Sequence, residues 1–416
     1  MKNDARLKTV ADVAAWRLCV GCGACAAACP HEAVRLKDII DDGIRPIVDT
    51  GRCQRCGDCL RVCPGHSLSY RDLPEHGPEH VRQSPWGPVL ELWEGFATDP
   101  DIRYGASSGG AATALALHSL TGEGIDAVLH TGAEQSAPLR NRTLVSSTRE
   151  QLLQRMGSRY APASPCEGLR EVLRSGRTYV FVGKPCDLHA LRKAQALHPE
   201  LKVRVPVAIS IFCAGIPATR ATMDLLASRG MAPDSLDAFR YRGYGWPGNA
   251  AVRRSGATAF TDLATYEECW DFLQKYRPYR CHLCPDGTGE FADIACGDAW
   301  HRAGEPESSP GLSLVVVRTS RGRAVVRQAM ESGVLQLAKA PADALERSQM
   351  NLRLKRGAVA GRCMAFRALG LPAPRFDGFR LGPLWWRLPM AERLRSTVGT
   401  VRRVVSRRYY RPIAPQ

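Results

Sequence analysis

The chain has 416 residues, with 57 Lys and Arg against 41 Asp and Glu, and a formal net charge of +16. This length excludes a single small domain and allows one sizeable core or two modest ones. The longest apolar stretch, 205–216, contains Pro206 and Ser210 and is too short to cross a bilayer, so we expect a soluble protein. The positive charge favours anionic partners, but no nucleic-acid-binding signature accompanies it.

The first segment carries two copies of one cysteine spacing. Each copy reads C-x2-C-x2-C-x3-C-P, the run that binds 4Fe–4S clusters in bacterial ferredoxins. Three thiolates of a run ligate one cluster, and the fourth, which precedes a proline, ligates the other. The spacing therefore predicts one cluster on Cys19, Cys22, Cys25 and Cys63, and a second on Cys53, Cys56, Cys59 and Cys29.

Two other interpretations of these eight cysteines fit less well. A zinc ribbon uses two CxxC pairs and leaves the third cysteine of each run without a role. Disulfides need an oxidising compartment, whereas residues 1–16 are polar and charged and do not resemble a signal peptide. We therefore expect a pair of one-electron carriers in a reducing cytoplasm.

The same segment has the pattern of a small α+β domain. Alternating apolar and polar residues on both sides of Asp42-Gly43 predict a β-hairpin, and we assign residues 1–72 to a ferredoxin-like domain. Four prolines and two glycines in 74–88 indicate a turn-rich connection, so residues 73–89 are predicted to be a linker.

Residues 90–345 are predicted to form a larger α/β domain with a mostly parallel or mixed sheet. Segments 178–182 and 205–212 are apolar and β-branched, and 187–197 between them has helical spacing, which predicts a βαβ unit with buried parallel strands. Further strands are predicted at 127–130 and 312–317, and further helices at 111–120, 150–156 and 322–332.

Four more cysteines come after elements of this domain. Cys186 follows the first predicted strand, Cys213 ends the second, and Cys281 and Cys284 form a CxxC loop. Residues that follow parallel strands converge on one crevice. The residues alone leave open a third 4Fe–4S cluster, a tetrahedral zinc site, a redox dithiol and unligated structural cysteines.

Two glycine motifs lie in different sequence contexts. Ser107, Ser108, Gly109 and Gly110 precede a predicted helix, where they could either bind an anion at the helix N-terminus or only allow close packing. The segment 243–248 matches G-x-G-x-x-G, but the residues after it predict two strands rather than a helix. A dinucleotide-binding Rossmann site is therefore not expected there.

Motifs across residues 90–350 resemble the coenzyme F420 hydrogenase/dehydrogenase beta-subunit family, to which plant 7-hydroxymethyl chlorophyll a reductase is similar. The matching sequences are SSGGAATAL, SRYAP, VGKPCD, IFCAG, YRGYGWPG and CHLCPDGTGEFADIACGDAW. Since family members bind FAD, the resemblance implies an FAD-binding domain with a third 4Fe–4S cluster on Cys186, Cys213, Cys281 and Cys284.

The resemblance also implies roles for individual residues. The expected FAD contacts are Ser107, Ser108, Gly109, Gly110, Thr113, Ser158, Arg159, Tyr160 and Lys184. The expected catalytic residues, which would line the flavin or substrate pocket, are Arg242, Trp246 and Asp298. The remaining thiols are interpreted as structural: Cys166, Cys269, Cys296 and Cys363.

Three functions remain open at this point. In the first, coenzyme F420 exchanges a hydride with FAD, and single electrons pass through the clusters to a redox partner, either a ferredoxin or another oxidoreductase subunit. In the second, reduced ferredoxin feeds the clusters and FAD reduces an organic substrate, as in the chlorophyll relative. In the third, the chain is a non-catalytic electron-transfer subunit or a cluster-based sensor.

The last segment, 346–416, is predicted to be a helical, basic extension. Within it, 389–411 has the pattern of a basic, partly amphipathic helix with aromatic residues near its ends. Such a helix could lie on an anionic membrane, dock an acidic partner or pack on its own domain. Alternatively, this segment could be disordered.

Overall fold

The computed structural model describes residues 6–75, 84–122 and 124–413, so the central part of the predicted linker lies outside the described residues. The helices are α1 (Val10–Ala15), α2 (Ala24–Ala27), α3 (Asp58–Arg61), α4 (Pro100–Gly105), α5 (Ala111–Thr121), α6 (Arg149–Leu153), α7 (Leu169–Ser175), α8 (Pro185–Leu197), α9 (Glu200–Arg204), α10 (Thr219–Ala227), α11 (Tyr266–Leu273), α12 (Tyr279–His282), α13 (Ser320–Glu331), α14 (Ala344–Ala368), α15 (Leu381–Trp386) and α16 (Met390–Ser406). The strands are β1 (Val34–Ile39), β2 (Gly43–Val48), β3 (Ser67–Ser69), β4 (Glu91–Ala97), β5 (Ala127–Glu134), β6 (Ala137–Ser146), β7 (Tyr179–Gly183), β8 (Val207–Ile211), β9 (Leu236–Arg240), β10 (Ala250–Arg254), β11 (Thr261–Ala264), β12 (Ile294–Asp298), β13 (Ser313–Val317), β14 (Leu335–Lys339) and β15 (Arg375–Asp377).

An eight-stranded mixed sheet organises the larger part of the molecule, in the order β14-β4-β13-β12-β8-β7-β5-β6. Its four central strands, β12, β8, β7 and β5, are parallel, and the pairs at both edges are antiparallel. The predicted βαβ unit is confirmed as β7-α8-β8. A mixed α/β sheet is thus confirmed.

Helices cover both faces of this sheet. Val180 of β7 packs in one buried cluster with Leu115 of α5, and its neighbour Phe181 packs in another with Leu188 of α8. Successive side chains of a strand point to opposite faces, so an apolar run such as β7 is suited to burial on both sides. This arrangement leaves the carboxyl ends of the parallel strands free to line cavities.

The strand predicted at 127–130 is longer than expected. It continues as β5 to Glu134 and pairs with β6, from Val128↔Ser146 to Glu134↔Ala137. Strand β6 alternates buried and exposed positions and carries Arg140 and Arg142. An antiparallel edge strand can keep one face in water, so β6 contains polar residues. Its sequence therefore lacks the continuous apolar run that would predict a strand.

The G-x-G-x-x-G segment lies before a small antiparallel sheet, β11-β10-β9. The two strands predicted after it are confirmed as β10 and β11, and no helix follows the glycines. Gly243 and Gly248 have positive φ angles of 99° and 78°, so they serve a turn rather than the start of a helix.

The first segment contains the predicted hairpin, β1-β2, and shares its core with the large sheet. Val62 and Tyr70 belong to the same buried cluster as Phe181 and Leu188. The Tyr70 hydroxyl also donates a hydrogen bond to Glu290, a buried carboxylate that pairs with Arg356 of α14. The division into two domains, a linker and a C-terminal extension remains a prediction, but these contacts join the two domains and the extension in one core.

The C-terminal segment returns to the first one. Strand β15 pairs in parallel with β3, with Phe376 opposite Leu68. The predicted basic helix is confirmed as α16, which packs on α14 where Gly361 leaves room for Ser396. In the ranges that the structure describes, no helix is both long and apolar enough to span a membrane.

Candidate redox site

The cysteines of the first predicted cluster surround one small cavity. Cys19, Cys22, Cys25 and Cys63 all line it, together with apolar side chains. Burial, and then the charges of Cys22, Cys19 and Cys63, raise the pKa of the Cys25 thiol. Cys63, from the second run, is therefore adjacent to the first three cysteines of the first run.

The second predicted set lies nearer to solvent. Burial, and then the charge of Cys29, raise the pKa of the Cys59 thiol, and Cys56 and Cys53 act in the same direction. Cys56 is exposed, and the other three are partly exposed. Cys59 also acts on Cys25, so the two sets adjoin, with the second on the outer side.

The four cysteines of the large domain also line one cavity, the cysteine cavity. Cys186 is in the first turn of α8, Cys213 follows β8, Cys281 is in α12 and Cys284 comes just after it. Cys19 of the first run lines the same cavity. The carboxyl ends of two parallel strands and one loop thus bring these thiols beside the ferredoxin-like segment.

Single-ion sites and cubane clusters make different demands on these thiols. Among the described residues, no group of three or more His, Cys, Asp or Glu side chains is drawn together around one metal ion. A 4Fe–4S cluster binds each thiolate to a different iron, so its ligands lie further apart than those of a zinc ion. The absence of a single-ion site among the described residues is therefore compatible with a 4Fe–4S cluster in the cysteine cavity.

Four cations line the cysteine cavity. Arg280 is 2% exposed, and its Nη2 donates to the carbonyl of Pro64 at 3.1 Å, while its Nε and Nη1 have no partner within the described residues. Burial would lower the pKa of Lys184, but Asp187 at 2.6 Å raises it above its usual range. The other two cations are Arg45 and Lys355.

This lining fits an anionic group. Burial raises the pKa of Cys186 and Cys284 and brings that of Cys213 to about 11, so these thiols are protonated near neutral pH. A cluster would provide iron charge that stabilises the thiolates, and the cations that line the cavity would balance its net negative charge. The residues present therefore fit a four-thiolate cluster.

A second cavity of about 390 Å³, the large cleft, adjoins the first. Lys184, Cys213, Gly215 and Ile216 line both. Its volume is within the range of small-molecule sites. Of the predicted FAD contacts, all but Gly109 line this cleft: Ser107, Ser108, Gly110, Thr113, Ser158, Arg159, Tyr160 and Lys184.

The glycine turn forms one end of the cleft. Gly110 is the N-cap of α5 with φ of 77°, and no side chain caps the helix. A Cβ on Gly109 would lie 2.7 Å from the carbonyl oxygen of Gly95, so only glycine fits there. Ser107 Oγ accepts a hydrogen bond from the Ser158 N–H at 2.6 Å, which ties the two predicted motifs together. The open helix end and the absent side chains suit a phosphate group.

Arg159 plays a supporting part in the cleft wall. Its guanidinium donates to Asn141 Oδ1 at 2.8 Å and to the carbonyl oxygens of Phe239 and Pro138. Tyr160, next to it, accepts a hydrogen bond from Arg242 at 3.4 Å. The guanidinium of Arg159 therefore holds neighbouring segments of the chain, and its predicted contact with FAD stays a prediction.

The three predicted catalytic residues form one hydrogen-bonded group. Arg242 donates to both carboxylate oxygens of Asp298, at 3.0 and 2.7 Å, and Trp246 Nε1 donates to the same carboxylate at 2.7 Å. Burial opposes the charged form of Arg242, but Asp298 raises its pKa above the ordinary value. Arg242 and Asp298 line the cleft, whereas Trp246 is not among its lining residues.

An aromatic wall lies beside this group. Its Trp300 belongs to the GDAW motif, which the family resemblance implies lines the pocket, whereas Tyr266 and Trp270 were missed by sequence reasoning. Trp300 stacks on Trp246 at 5.1 Å and on Tyr266 at 5.3 Å, and Arg242 lies 4.6 Å from the Tyr266 ring. Tyr266 and Trp270 are four residues apart on α11, a spacing that places both on one helix face. This four-residue spacing is the sequence signal that could have indicated the two α11 residues of the wall.

His130 is a further residue that the sequence did not indicate. It lines the cleft, is buried, and has its Nε2 2.8 Å from Ser146 Oγ. Burial lowers its pKa to about 4. The ring is therefore neutral at physiological pH.

The four remaining cysteines are all buried, and none of the sixteen cysteines forms a disulfide. Cys269 packs in an apolar cluster and lines none of the cavities, whereas Cys363 packs in the cluster that contains Cys25 and Cys63 of the first predicted set. Cys296 lines the large cleft, and the backbone N–H of Cys166 donates to the carbonyl of Cys22 at 3.0 Å. Three of the thiols interpreted as structural, Cys166, Cys296 and Cys363, thus lie next to the large cleft or to the first predicted cysteine set.

Comparisons with known proteins cover most of the chain. Residues 92–170 and 176–343 match the models of the N-terminal and C-terminal parts of the coenzyme F420 hydrogenase/dehydrogenase beta subunit. Residues 18–67 match a 4Fe–4S dicluster domain. The match to the two halves of one family model follows the extent of the large sheet and its cavities.

Individual relatives agree with these models. The coenzyme F420 hydrogenase subunit beta of Methanosarcina barkeri is 28% identical over 250 residues, which is 58% of this chain and 78% of that protein. The coenzyme F420-dependent sulfite reductase of Methanocaldococcus jannaschii is 27% identical over 232 residues, 52% of this chain and 34% of that protein. A chain of the F420-reducing [NiFe] hydrogenase complex from Methanosarcina barkeri has the same fold, with a TM-score of 0.55 and 22% identity over 70% of this chain and 97% of that one.

Proposed function

Because this chain belongs to the coenzyme F420 hydrogenase/dehydrogenase beta subunit family, we propose that it is an iron–sulfur flavoprotein oxidoreductase that moves electrons between coenzyme F420 and a one-electron partner. FAD would occupy the large cleft, and a third 4Fe–4S cluster the cysteine cavity. The observation that carries this proposal is the shared wall of the two cavities, in which Lys184 and Cys213 face both.

The two kinds of cofactor would supply different chemistry: a bound flavin exchanges a hydride and also single electrons, whereas each cluster carries one electron. The chain's own residues supply binding and orientation. The uncapped end of α5 and Gly110 offer backbone N–H groups to a diphosphate. Arg242, held charged by Asp298, places a fixed cation in the cleft, and the aromatic wall offers flat apolar surface to a planar ring.

The cysteines form a continuous series from the cleft to the surface. Cys213 lines the cleft and the cysteine cavity, and Cys19 lines the cysteine cavity as a member of the first ferredoxin-type set. That set adjoins the second, whose Cys56 is exposed. The exposed end is where a redox partner would dock, either a ferredoxin or another oxidoreductase subunit.

A second candidate function is reduction of an organic substrate by FAD, with electrons entering from reduced ferredoxin. The aromatic wall favours this alternative as well, because Trp300 and Tyr266 could stack on any planar substrate. The two functions differ in the donor: the first needs reduced F420, and the second needs a one-electron donor at the outer clusters. A purely electron-transferring subunit would need its partner before any donor is oxidised.

The test is anaerobic purification followed by a donor assay. We expect one FAD and about twelve iron atoms per chain, and reduction of a viologen dye by reduced F420. Protein without flavin, with about eight irons, would contradict both the cleft and the cavity assignments. Dye reduction by ferredoxin but not by reduced F420 would favour the second candidate.

A further inference from the structure

Helix α16 (Met390–Ser406) presents its apolar side to solvent. Its outward side chains follow at spacings of three and four residues and form one stripe about 100° wide. These stripe residues and their exposed fractions are Met390 62%, Leu394 55%, Val398 62%, Val401 36% and Val405 58%. Among the described residues, 17 large hydrophobic side chains are exposed, and eight of them lie between residues 386 and 413, so the exposure is concentrated here.

The opposite, small and polar side of the helix is the one that packs on the protein. Ser396, Thr400 and Val404 are buried at 3%, 1% and 1% exposure. Thr400 Oγ1 accepts a hydrogen bond from the Tyr279 hydroxyl at 3.0 Å, and the N–H of Ile413, just beyond the helix, donates to the Ala15 carbonyl at 3.0 Å. These contacts fix the orientation of the helix, so the stripe residues stay exposed and do not pack in the chain's own core.

The charge around the stripe has one sign. Residues 380–413 contain nine arginines and a single acidic residue, Glu392, which pairs with Arg395 at 2.6 Å. No ion pair within the described residues involves Arg402, Arg407 or Arg408. Arg395 and Arg402 lie next to the stripe around the helix axis. A symmetric contact between two copies of this helix through the stripe would therefore bring arginines of the two copies close together.

We propose that α16 binds the surface of an anionic membrane, with the stripe inserted among the acyl chains and the arginines at the phosphate headgroups. An apolar face flanked by arginine, with aromatic residues at both ends, is the pattern of an in-plane helix. Trp386 and Tyr410 provide those aromatics and are 66% and 46% exposed. This inference does not depend on the proposed cofactors.

The test is flotation of the full-length, cluster-loaded protein with vesicles. Vesicles of phosphatidylcholine with phosphatidylglycerol at about 30% should bind the protein, and pure phosphatidylcholine should bind it at least about tenfold less. The double variant Leu394→Gln, Val398→Gln should lose this binding and keep its iron content. Val203→Gln changes a 71% exposed valine of α9 and should leave binding unchanged. Arg402→Gln should weaken binding about fivefold.

Point variants are preferable to deletion of α16 because the buried side of the helix contacts Tyr279, two residues before Cys281. Absence of flotation, equal flotation with both vesicles, or full binding by the double variant would each overturn the proposal. So would a wild-type dimer that the double variant converts to monomers, since a second copy would then cover the stripe. Capture of an acidic protein by the stripe, without vesicle binding, would also overturn it.

Discussion

The two cysteine assemblies of this molecule are built in different ways. The eight cysteines between residues 19 and 63 are grouped by short turns within one segment, although Cys22 also packs in the core that this segment shares with the large sheet. Cys186, Cys213, Cys281 and Cys284 meet because two parallel strands end at the same edge of the sheet and one loop reaches it. The first assembly therefore depends on local spacing, and the second on the whole large sheet.

This difference predicts which assembly responds to a given change. A substitution at the sheet edge should affect the cysteine cavity and the large cleft together and leave the first segment intact. The shared wall of the two cavities makes Cys213 the residue at which the comparison can be tested most sharply.

The largest effect is expected for Cys213→Ala. It removes one thiol of the cysteine cavity, so the iron content should fall from about twelve to about eight per chain, and dye reduction by reduced F420 should fall to background. Cys269→Ala is the matched control, since Cys269 is 1% exposed and lines neither cavity. Unchanged iron in Cys213→Ala, measured by colorimetric assay, would show that this thiol is not a ligand.

The features that could be predicted from the sequence are those set by local spacing and composition. The grouping of Cys63 with the first run could be proposed from spacing because the ligand loops are local. The βαβ unit was predictable because β7 and β8 are continuous apolar strands. The extent of β6 was not, since Arg140 and Arg142 occupy a solvated face.

Features formed by distant elements were beyond sequence reasoning. Trp300 and Tyr266 stack across two separate elements, and no local pattern announces that contact. The unpartnered Arg280 atoms likewise depend on where α12 meets the first segment. The helix α16 was predictable from the sequence. The side that packs inward was not, because it depends on the gap at Gly361 of α14.

The next effect concerns the cleft alone. Gly110→Ala places a Cβ 2.9 Å from the carbonyl oxygen of Ile102 at φ of 77°, so the turn must distort and FAD affinity should fall at least about tenfold. The iron content should stay at the wild-type level. Gly230→Ala is the control, because Gly230 has a similar φ of 69° with nothing within 4 Å of the added atom. Flavin content that falls equally in both variants would contradict a specific role for the turn.

A smaller effect is expected behind the cleft. Trp246→Phe keeps a ring to stack on Trp300 but removes the hydrogen bond to Asp298, so kcat with reduced F420 should fall about tenfold while FAD and iron remain bound. Trp385→Phe removes an indole hydrogen bond of similar length, 2.9 Å to Ser396, from a residue that lines neither cavity, and should leave kcat unchanged. Equal losses in both variants would indicate a general effect on stability.

The smallest effect concerns the response of the sheet region to acid. The pKa of His130 is about 4 in the folded chain because of burial, below its ordinary value of 6.5. Between these two values the unfolded chain binds a proton that the folded chain does not, so the free energy of unfolding decreases as the pH falls through this window. From pH 7.5 to 5.5 the loss amounts to about 1 kcal/mol. Thermal unfolding of His130→Gln should show a pH dependence about 1 kcal/mol smaller than that of the wild type. Part of the dependence should remain, because burial also lowers the pKa of His282. His31→Gln, at an exposed position of the first segment, should keep the wild-type dependence. If His130→Gln keeps the full wild-type pH dependence, His130 does not contribute to the acid response.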